Sequence, residues 1–359
     1  MSAVTECVKP EYRPAGKEAD RKGLIRQALH LKEQFGFYKS FYKDIALNPD
    51  DSFEELIVKL PKINKSVFKA QDPFSLLPDN FLSVPAKLPV MHKTTGGTTG
   101  RPANVFYTAN DWATALEAHA LILRPIFASL HKPVIAYNNY NHGHIGGPVF
   151  GQSVTAAGAL CINRSFNADD ERAIDEISRY KCNMLVAPPS ATRKGYTLES
   201  LLEADAASGT NYINGDNIDV VLVSSLPLRK ELVEELQELG IKFILDFYGM
   251  TEVMPVAVSC PYNPRHLHIC GGHAYADVVN SSFKPVKTGE RGMIIAGRIN
   301  AYDANGGVSD STGILNFITG DTALVVESGC SCGENLKTIT DVRRESDTES
   351  KAENGCQTW

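Results

Sequence analysis

The sequence predicts an α/β protein: a mostly parallel sheet layered between helices, followed by a small β-rich subdomain. Three observations carry that expectation. Between residues 104 and 247, short apolar runs alternate with amphipathic stretches of helical period. After Tyr248 the helical period stops, and short β-like runs broken by Gly, Pro and Asn replace it. The chain has 359 residues, more than one hydrophobic core of roughly 250–300 residues accommodates, so two lobes with a cleft are expected.

Residues 1–75 read as a helical segment devoted to packing. Over 20–41 the apolar residues Leu24, Ile25, Ala28, Leu29, Leu31, Phe35 and Tyr38 fall near helical spacing and predict one helical piece. A short helix is expected over 53–60, closed at Leu60-Pro61 because the residue before proline is driven out of the helical region, and a further turn over 65–69. The core, 76–247, then alternates helices over 111–130, 149–158, 169–180, 198–207 and 229–239 with strands over 134–137, 159–163, 183–187, 220–223 and 243–247. Strands apolar along their whole length imply a parallel sheet covered on both faces, with ligands beyond the strands' carboxyl ends. In 248–337 the runs 293–296, 314–318 and 323–326 predict the β-rich subdomain. The last stretch, 338–359, is charged and polar and reads as a loosely attached tail.

Composition excludes several function classes. A net charge of -6 offers no basic field for nucleic acid, and no apolar run approaches the length of a membrane span. The polar start, with Pro10 and Pro14, lacks a signal-peptide pattern, so a cytoplasmic protein is expected. There the eight cysteines stay reduced or bind metal.

The densest functional signal is Thr94-Thr95-Gly96-Gly97-Thr98-Thr99-Gly100-Arg101-Pro102. Glycine lets backbone approach a ligand closely, while threonine hydroxyls and consecutive N–H groups are short donors to phosphate oxygens. The stretch is not a Walker loop, since Gly-Arg-Pro replaces the Gly-Lys-Ser/Thr ending. Taken alone it also suits a Gly/Thr linker or a turn between strands. Three other stretches bear on the choice. Residues 220–228 run from an apolar strand into the small polar turn Ser224-Ser225-Leu226-Pro227. Phe247-Tyr248-Gly249-Met250-Thr251-Glu252 sets a ring, a glycine, a hydroxyl and a carboxylate at the end of the next strand, and Ile318-Thr319-Gly320-Asp321 sets a carboxylate after a glycine, suited to a vicinal diol.

In their order and spacing these four motifs resemble the adenylate-forming superfamily of acyl-CoA synthetases, above all its phenylacetate-CoA ligase branch, over roughly residues 60–347. Leu60-Pro61 with Lys65, and His144-Ile145-Gly146-Gly147-Pro148, add to the resemblance. It implies the large N-terminal domain of that fold and ATP-dependent activation of a carboxylic acid to an acyl-adenylate, with pyrophosphate released and transfer to CoA. By position, Thr95, Gly96, Gly97, Thr98, Thr99 and Gly100 would hold the β- and γ-phosphates of ATP, with Arg101 where the family usually has lysine. Ser224, Ser225 and Leu226 would flank the adenine, Tyr248 would stack on it, and Gly249 would let it lie close. Thr251 would bind the α-phosphate, Glu252 a magnesium ion, and Asp321 the ribose hydroxyls. The acid would lie among 138–148, 224–227 and 249–255, with Tyr140, His144, Gly146, Gly147 and Met250 as contacts. His142 reads as a loop histidine, and His144 stands equally as a substrate contact or a loop histidine. No acidic residue stands where amino-acid-activating relatives keep one, so an aryl or other non-amino acid is expected.

Cys330-Ser331-Cys332-Gly333 is a tight pair of thiols, with Cys260, His266, His268, Cys270 and His273 upstream. Thiolates with imidazole favour tetrahedral zinc. The resemblance points to Cys260, His268, Cys330 and Cys332 as the ligands of a structural zinc; reduced packing thiols are the alternative, and His266 competes with His268. Cys7, Cys161, Cys182 and Cys356 fall outside any cluster.

The sequence departs from the family at its end. Asp341 to Asp347 resembles the hinge that precedes a mobile C-terminal domain, with Arg344 and Asp347 matching, but a short polar tail follows. That domain carries the lysine bridging substrate carboxylate and α-phosphate, so impaired adenylation by this chain alone is expected. The alternatives are a non-catalytic nucleotide- or acid-binding module, or an adenylating enzyme with an amine, nitrite or carrier-protein acceptor. Expected partners are a small carboxylic acid, ATP or AMP, and CoA, a carrier protein or a separate C-terminal domain; a homodimer stays open.

Overall fold

The N-terminal helices form where the sequence places an apolar stripe and a stop signal. In the computed structural model, which describes residues 17–69, 72–95, 103–141, 143–190, 196–300, 307–327, 332 and 336–345 without the side chains of Lys17 and Thr95, α1 (Lys17–Gln34) and α2 (Gly36–Phe41) are separate helices. The single helical piece expected over 20–41 is broken at Phe35, whose backbone is extended (φ -116°, ψ 118°). The break lets Leu24, Leu31, Phe35 and Tyr38 enter one apolar cluster with Ile314, Leu315 and Phe317. Gly313 runs directly beneath them: a Cβ there would lie 2.7 Å from the Tyr38 ring, and its carbonyl accepts the Tyr38 hydroxyl at 2.8 Å. Helix α3 (Phe53–Lys59) starts with a capping box, in which the Glu55 N–H donates to Ser52 Oγ and the Ser52 N–H to Glu55 Oε2.

A hairpin of β1 (Pro89–Thr95) and β2 (Ala103–Thr108) precedes helix α4 (Ala109–Ser129), which Thr108 caps by accepting the Asp111 N–H. Then come β3 (Ile135–Asn138), α5 (Gly146–Ala156), β4 (Leu160–Asn163), α6 (Asp170–Arg179), β5 (Met184–Ala187), α7 (Leu198–Ser208), β6 (Val220–Ser224), α8 (Lys230–Glu238) and β7 (Phe243–Tyr248). The five strands are parallel in the order β4-β3-β5-β6-β7. Alternation along each strand divides the core. Met184, Val186, Val220, Leu222, Leu245 and Phe247 face the side of α4 and α5, while Leu185, Ala187, Val221, Val223 and Ile244 meet Ile174, Leu201, Leu232 and Leu236 of α6, α7 and α8. Both faces are apolar, which is why these strands read as unbroken apolar runs.

The β-rich part continues the same sheet. β8 (Ala257–Cys260), β9 (Asn263–Ile269), β10 (Ala274–Val279), β11 (Arg291–Arg298), β12 (Phe317–Val326) and β13 (Thr338–Arg344) extend it antiparallel in the order β7-β8-β9-β13-β12-β11-β10. Only the β4-to-β7 half of this 11-stranded sheet is parallel. Residues 338–344, expected to open a loose tail, are instead an interior strand. Ile339 and Val342 both meet the apolar cluster of Leu267, Ile294, Ala323 and Val325. A bulge puts two side chains three positions apart on one face: three steps along β13, Arg343 to Thr340, match two along β12, Thr322 to Leu324, and Asp341 sits at φ 53°. That offset hides the period of two.

Candidate functional site

Tyr248 at the end of β7 and Asp321 within β12 meet beside the end of β13. Asp321 on β12 pairs in register with Arg344 on β13. Its Oδ1 lies 3.0 Å from Arg344 Nη1, and its Oδ2 accepts the Tyr248 hydroxyl at 2.9 Å from the end of β7. Arg344 also donates to the Thr319 carbonyl at 3.3 Å. The Thr319 hydroxyl accepts the Asp321 N–H at 3.0 Å, and Gly320 takes φ 77° to make that turn. Burial, with the Asp321 charge beside it, pushes the Tyr248 hydroxyl well above its ordinary pKa, so it stays a donor.

Past Tyr248 the chain folds into a tight turn closed by two backbone bonds, Met250 N–H to the Val253 carbonyl at 2.9 Å and Val253 N–H to the Met250 carbonyl at 3.1 Å. Gly249 enters it with room for little else, since a Cβ would stand 3.1 Å from Met254 Cβ. Thr251 and Glu252 occupy the turn. The Thr251 carbonyl accepts the Tyr107 hydroxyl at 2.6 Å. Glu252 is 0% exposed, and neither carboxylate oxygen accepts a hydrogen bond. Lys65 Nζ stands 3.8 Å from Oε1. The guanidinium of Arg298, also 0% exposed and without a hydrogen bond, lies 3.9 Å over the Tyr107 ring. Burial pushes the Tyr107 hydroxyl up to about 12; Arg298 opposes that shift and Glu252 adds to it. Buried polar atoms without partners are rare in native proteins, and a carboxylate with two open oxygens is a ready cation ligand.

On the β6 side, Ser224 Oγ donates to the Phe247 carbonyl at 2.5 Å and its own carbonyl accepts the Tyr140 hydroxyl at 2.8 Å. Ser225 is exposed and adopts φ 82°, a left-handed conformation that costs energy in a residue with a side chain. Leu226 beside it is half-buried. Tyr140 stacks on His144, 5.7 Å between centroids, and closes over Gly146, where a Cβ would fall 2.6 Å from the ring. The Gly146 N–H donates to His144 Nδ1 at 3.0 Å. Gly146 and Gly147 form the first turn of α5, which begins three residues before the expected helix.

Gly96, Gly97, Thr98, Thr99, Gly100, Arg101, His142, Cys330 and Asp347 lie outside the described residues, as does the side chain of Thr95. The glycine-threonine stretch joins β1 to β2, whose ends pair as Thr95 with Ala103.

A second cluster lies in the antiparallel half. Cys260, His268 and Cys332 are buried, and one ligand atom of each falls within 4.8 Å of the others. Cys332 Sγ is 3.4 Å from His268 Nε2. His268 Nδ1 meets Thr338 Oγ1 at 2.9 Å, and that hydroxyl donates onward to the Leu336 carbonyl, so Thr338 accepts the Nδ1 proton and Nε2 is left with its lone pair. His266 is not part of the cluster. Sequence reading gave no role to Tyr107, Arg298 or Thr338. Each acts through a neighbour from another strand, and no local motif marks such a residue.

The chain matches the family model described as AMP-binding enzyme over residues 55–301. It is similar to the phenylacetate-coenzyme A ligase of Thermus thermophilus, 22% identical over 317 residues that cover 86% of this chain and 66% of that protein. It is similar also to the phenylacetate-coenzyme A ligase of Escherichia coli K12, 28% identical over 277 residues that cover 74% and 59%. The chain therefore spans less than two thirds of the length of either relative. Among solved structures it resembles an open conformation of 2-hydroxyisobutyryl-CoA ligase in complex with 2-HIB-AMP and CoA, with a TM-score of 0.75, 16% identity, and 95% of this chain and 78% of that one covered. ATP-bound MatB from Rhodopseudomonas palustris gives a TM-score of 0.54 at 19% identity, covering 73% and 49%. Among the described residues no helix is long and apolar enough to cross a membrane. With the family model matched over more than half its length and the fold of the acyl-CoA ligases around Tyr248, Glu252 and Asp321, the chain belongs to the AMP-binding enzyme family of adenylate-forming proteins.

Proposed function

We propose that this chain binds ATP and a carboxylic acid and joins them as an acyl-adenylate, which is then passed to CoA or another acceptor. A carboxylate oxygen of the acid attacks the α-phosphorus, the bond from that phosphorus to the bridging oxygen breaks, and pyrophosphate leaves with the electron pair. The observation that carries this reading is Asp321 beside Tyr248, one turn of chain from the buried carboxylate of Glu252, whose oxygens accept no hydrogen bond. Asp321 would accept the ribose hydroxyls while Tyr248 offers its ring face to adenine. Thr251 would donate to the α-phosphate from a turn that Tyr107 holds by its carbonyl. The carboxylate of Glu252 fits Mg²⁺: it is buried, its two oxygens accept no hydrogen bond, and Lys65 stands 3.8 Å away. When bound, the ion supplies positive charge at the leaving pyrophosphate. The glycine-threonine loop would hold the β- and γ-phosphates, and an aryl or other non-amino acid is the substrate class we favour.

Cys260, His268 and Cys332 fit a structural zinc by softness, burial and the fixed tautomer of His268, with Cys330 as the fourth ligand. The test of function is calorimetric titration with ATP and Mg²⁺, together with ATP–pyrophosphate exchange over a panel of acids. Nucleotide binding with acid-dependent exchange is expected. A chain that binds no nucleotide overturns the reading, and one that binds it without exchange is a non-catalytic binding module.

A further inference from the structure

Arg298 closes β11 with its side chain turned inward. It is 0% exposed, and none of its three side-chain nitrogens makes a hydrogen bond. Taking a guanidinium out of water is costly, and a carboxylate or carbonyl partner ordinarily offsets that cost. Here the contact is a ring face. Cζ lies 3.9 Å over Tyr107, itself fully buried, and Trp112 meets the same ring edge-on at 5.5 Å. A cation over an aromatic face is a directed electrostatic attraction, strongest where water is excluded.

Tyr107 passes the constraint on. Its hydroxyl donates to the Thr251 carbonyl at 2.6 Å. The two Met250–Val253 bonds close the ends of the turn, and among the described residues no other hydrogen bond reaches the peptide that joins Thr251 to Glu252. The plane of that peptide sets the direction in which both side chains leave the backbone. The ring in turn has a firm base. Its neighbours on β2 donate to one segment, Phe106 N–H to Thr312 Oγ1 at 2.8 Å and Thr108 N–H to Ser311 Oγ at 2.9 Å. The Arg298 N–H donates to the Ile314 carbonyl of the same segment at 2.9 Å. A positive charge over the ring also draws electron density from the hydroxyl and strengthens it as a donor, in line with the downward pull of Arg298 on the Tyr107 pKa.

We propose that Arg298 is a positioning residue that acts through the Tyr107 ring to fix the Thr251–Glu252 peptide, and thereby sets the affinity for Mg²⁺-ATP. The inference rests on the adenylating reading above, in which Thr251 meets the α-phosphate and Glu252 the metal. Arg298 has no open nitrogen to offer a ligand, since all three are sealed from solvent.

The experiment measures ATP binding by calorimetry, with saturating Mg²⁺ and with Mg²⁺ left out. It compares the 359-residue chain with Tyr107→Phe, Arg298→Met, Arg298→Lys and the double variants, the unfolding temperature of each reporting a folded protein. Tyr107→Phe keeps the ring under Arg298 and loses only the hydroxyl; it should weaken Mg²⁺-ATP binding about tenfold, the scale of one buried hydrogen bond, and Mg²⁺-free binding by less. Arg298→Met keeps the volume and loses the charge, and should weaken Mg²⁺-ATP binding about fivefold, the scale of a cation over a ring. Added to Tyr107→Phe it should cost nothing further, because the path to the turn is already cut. Arg298→Lys returns a more localised cation to the ring and should show a smaller loss, again only while Tyr107 is present, so the comparison survives a failure of Arg298→Met to fold. Losses that add in the double variants, losses equal with and without Mg²⁺, or an Arg298→Met chain that binds Mg²⁺-ATP as tightly as the unaltered chain or more so, overturn the positioning role and leave the adenylating reading standing. An unaltered chain that binds no nucleotide, or binds it without regard to Mg²⁺, overturns that reading and this proposal together.

Discussion

The parallel and antiparallel halves of the sheet are locked by different means. From β3 to β7 both faces are built mainly of aliphatic and aromatic side chains, with Asn138, Glu176 and Asp219 buried beside them, and much of the specificity comes from volume and alternation. From β8 to β13 the interior also holds His268, Cys332, Asp277, Arg298 and Asn300. There the strands are tied by named atoms, such as Lys337 to Asp277 and His268 to Thr338. Truncating one apolar side chain removes a small share of a large packing energy, whereas a buried polar atom deprived of its partner keeps its full desolvation cost. The two halves should therefore fail differently.

The largest expected effect tests the polar lock. Cys332→Ser, or prolonged chelation, should lower stability by on the order of 4 kcal/mol or more, the scale of losing a structural metal. Hydrogen exchange should speed up in β8, β9 and β13 while β5 and β6 keep their protection. Metal content that survives Cys332→Ser removes this residue from the site, and uniform loss of protection ends the distinction between the halves.

Asp246 sharpens the comparison. It is a carboxylate 8% exposed on β7 within the apolar half, and burial raises its pKa from 3.8 to about 7, against only the Leu228 N–H holding it down. Asp277 and Asp321, in the other half, have Lys337 and Arg344. Because the folded pKa exceeds the unfolded one, the native state binds more protons between about pH 4 and 7, and this contribution to stability is lost as pH rises through that window. The whole loss is on the order of 4 kcal/mol at about 1.4 kcal/mol per pKa unit. Asp246→Asn should raise the unfolding temperature more at about pH 8 than at about pH 5. An equal shift at both would place the ionised carboxylate in a solvated setting.

Leu222→Ala probes the apolar lock. Leu222 is fully buried on β6 against the α4 and α5 face, and truncation should cost about 3 kcal/mol through lost transfer energy and a residual cavity. Metal content should not change. A loss of metal would mean that packing in one half sets the ligand geometry in the other.

The same contrast governs what the sequence disclosed. Val220 to Val223 are legible because every position is apolar and flanking turns bound the run, and β6 forms there within one residue of expectation. β13 is not, because its bulge at Asp341 sets Ile339 and Val342 out of alternation and its remaining residues pair through backbone. Phe35 is hidden for a similar reason: its apolar side chain fits the helical stripe although its backbone leaves the helix. At the candidate site, Tyr248, Glu252 and Asp321 stand in contiguous motifs and are readable. Tyr107 and Thr338 are not, since a hydroxyl that steadies a carbonyl or an imidazole from another strand leaves no local pattern.

The smallest expected effect falls at the seam between the halves. Asp321 is reached by Tyr248 from the parallel side and Arg344 from the antiparallel side, so a nucleotide that takes its oxygens must join an existing network. Asp321→Ala removes the proposed acceptor for the ribose hydroxyls, and ATP affinity should fall by about 1.5 to 3 kcal/mol, the scale of a hydrogen bond to a charged group. The same change leaves the Arg344 charge without its partner. Asp321→Asn separates the two effects, because the amide keeps one acceptor oxygen yet cannot pair with Arg344 as an ion. If the ribose contact dominates, Asp321→Asn should retain part of the affinity that Asp321→Ala loses, and calorimetry with ATP and Mg²⁺ measures both. If both variants bind as the unaltered chain does, Asp321 serves only to fasten Tyr248 to Arg344, and the nucleotide lies elsewhere.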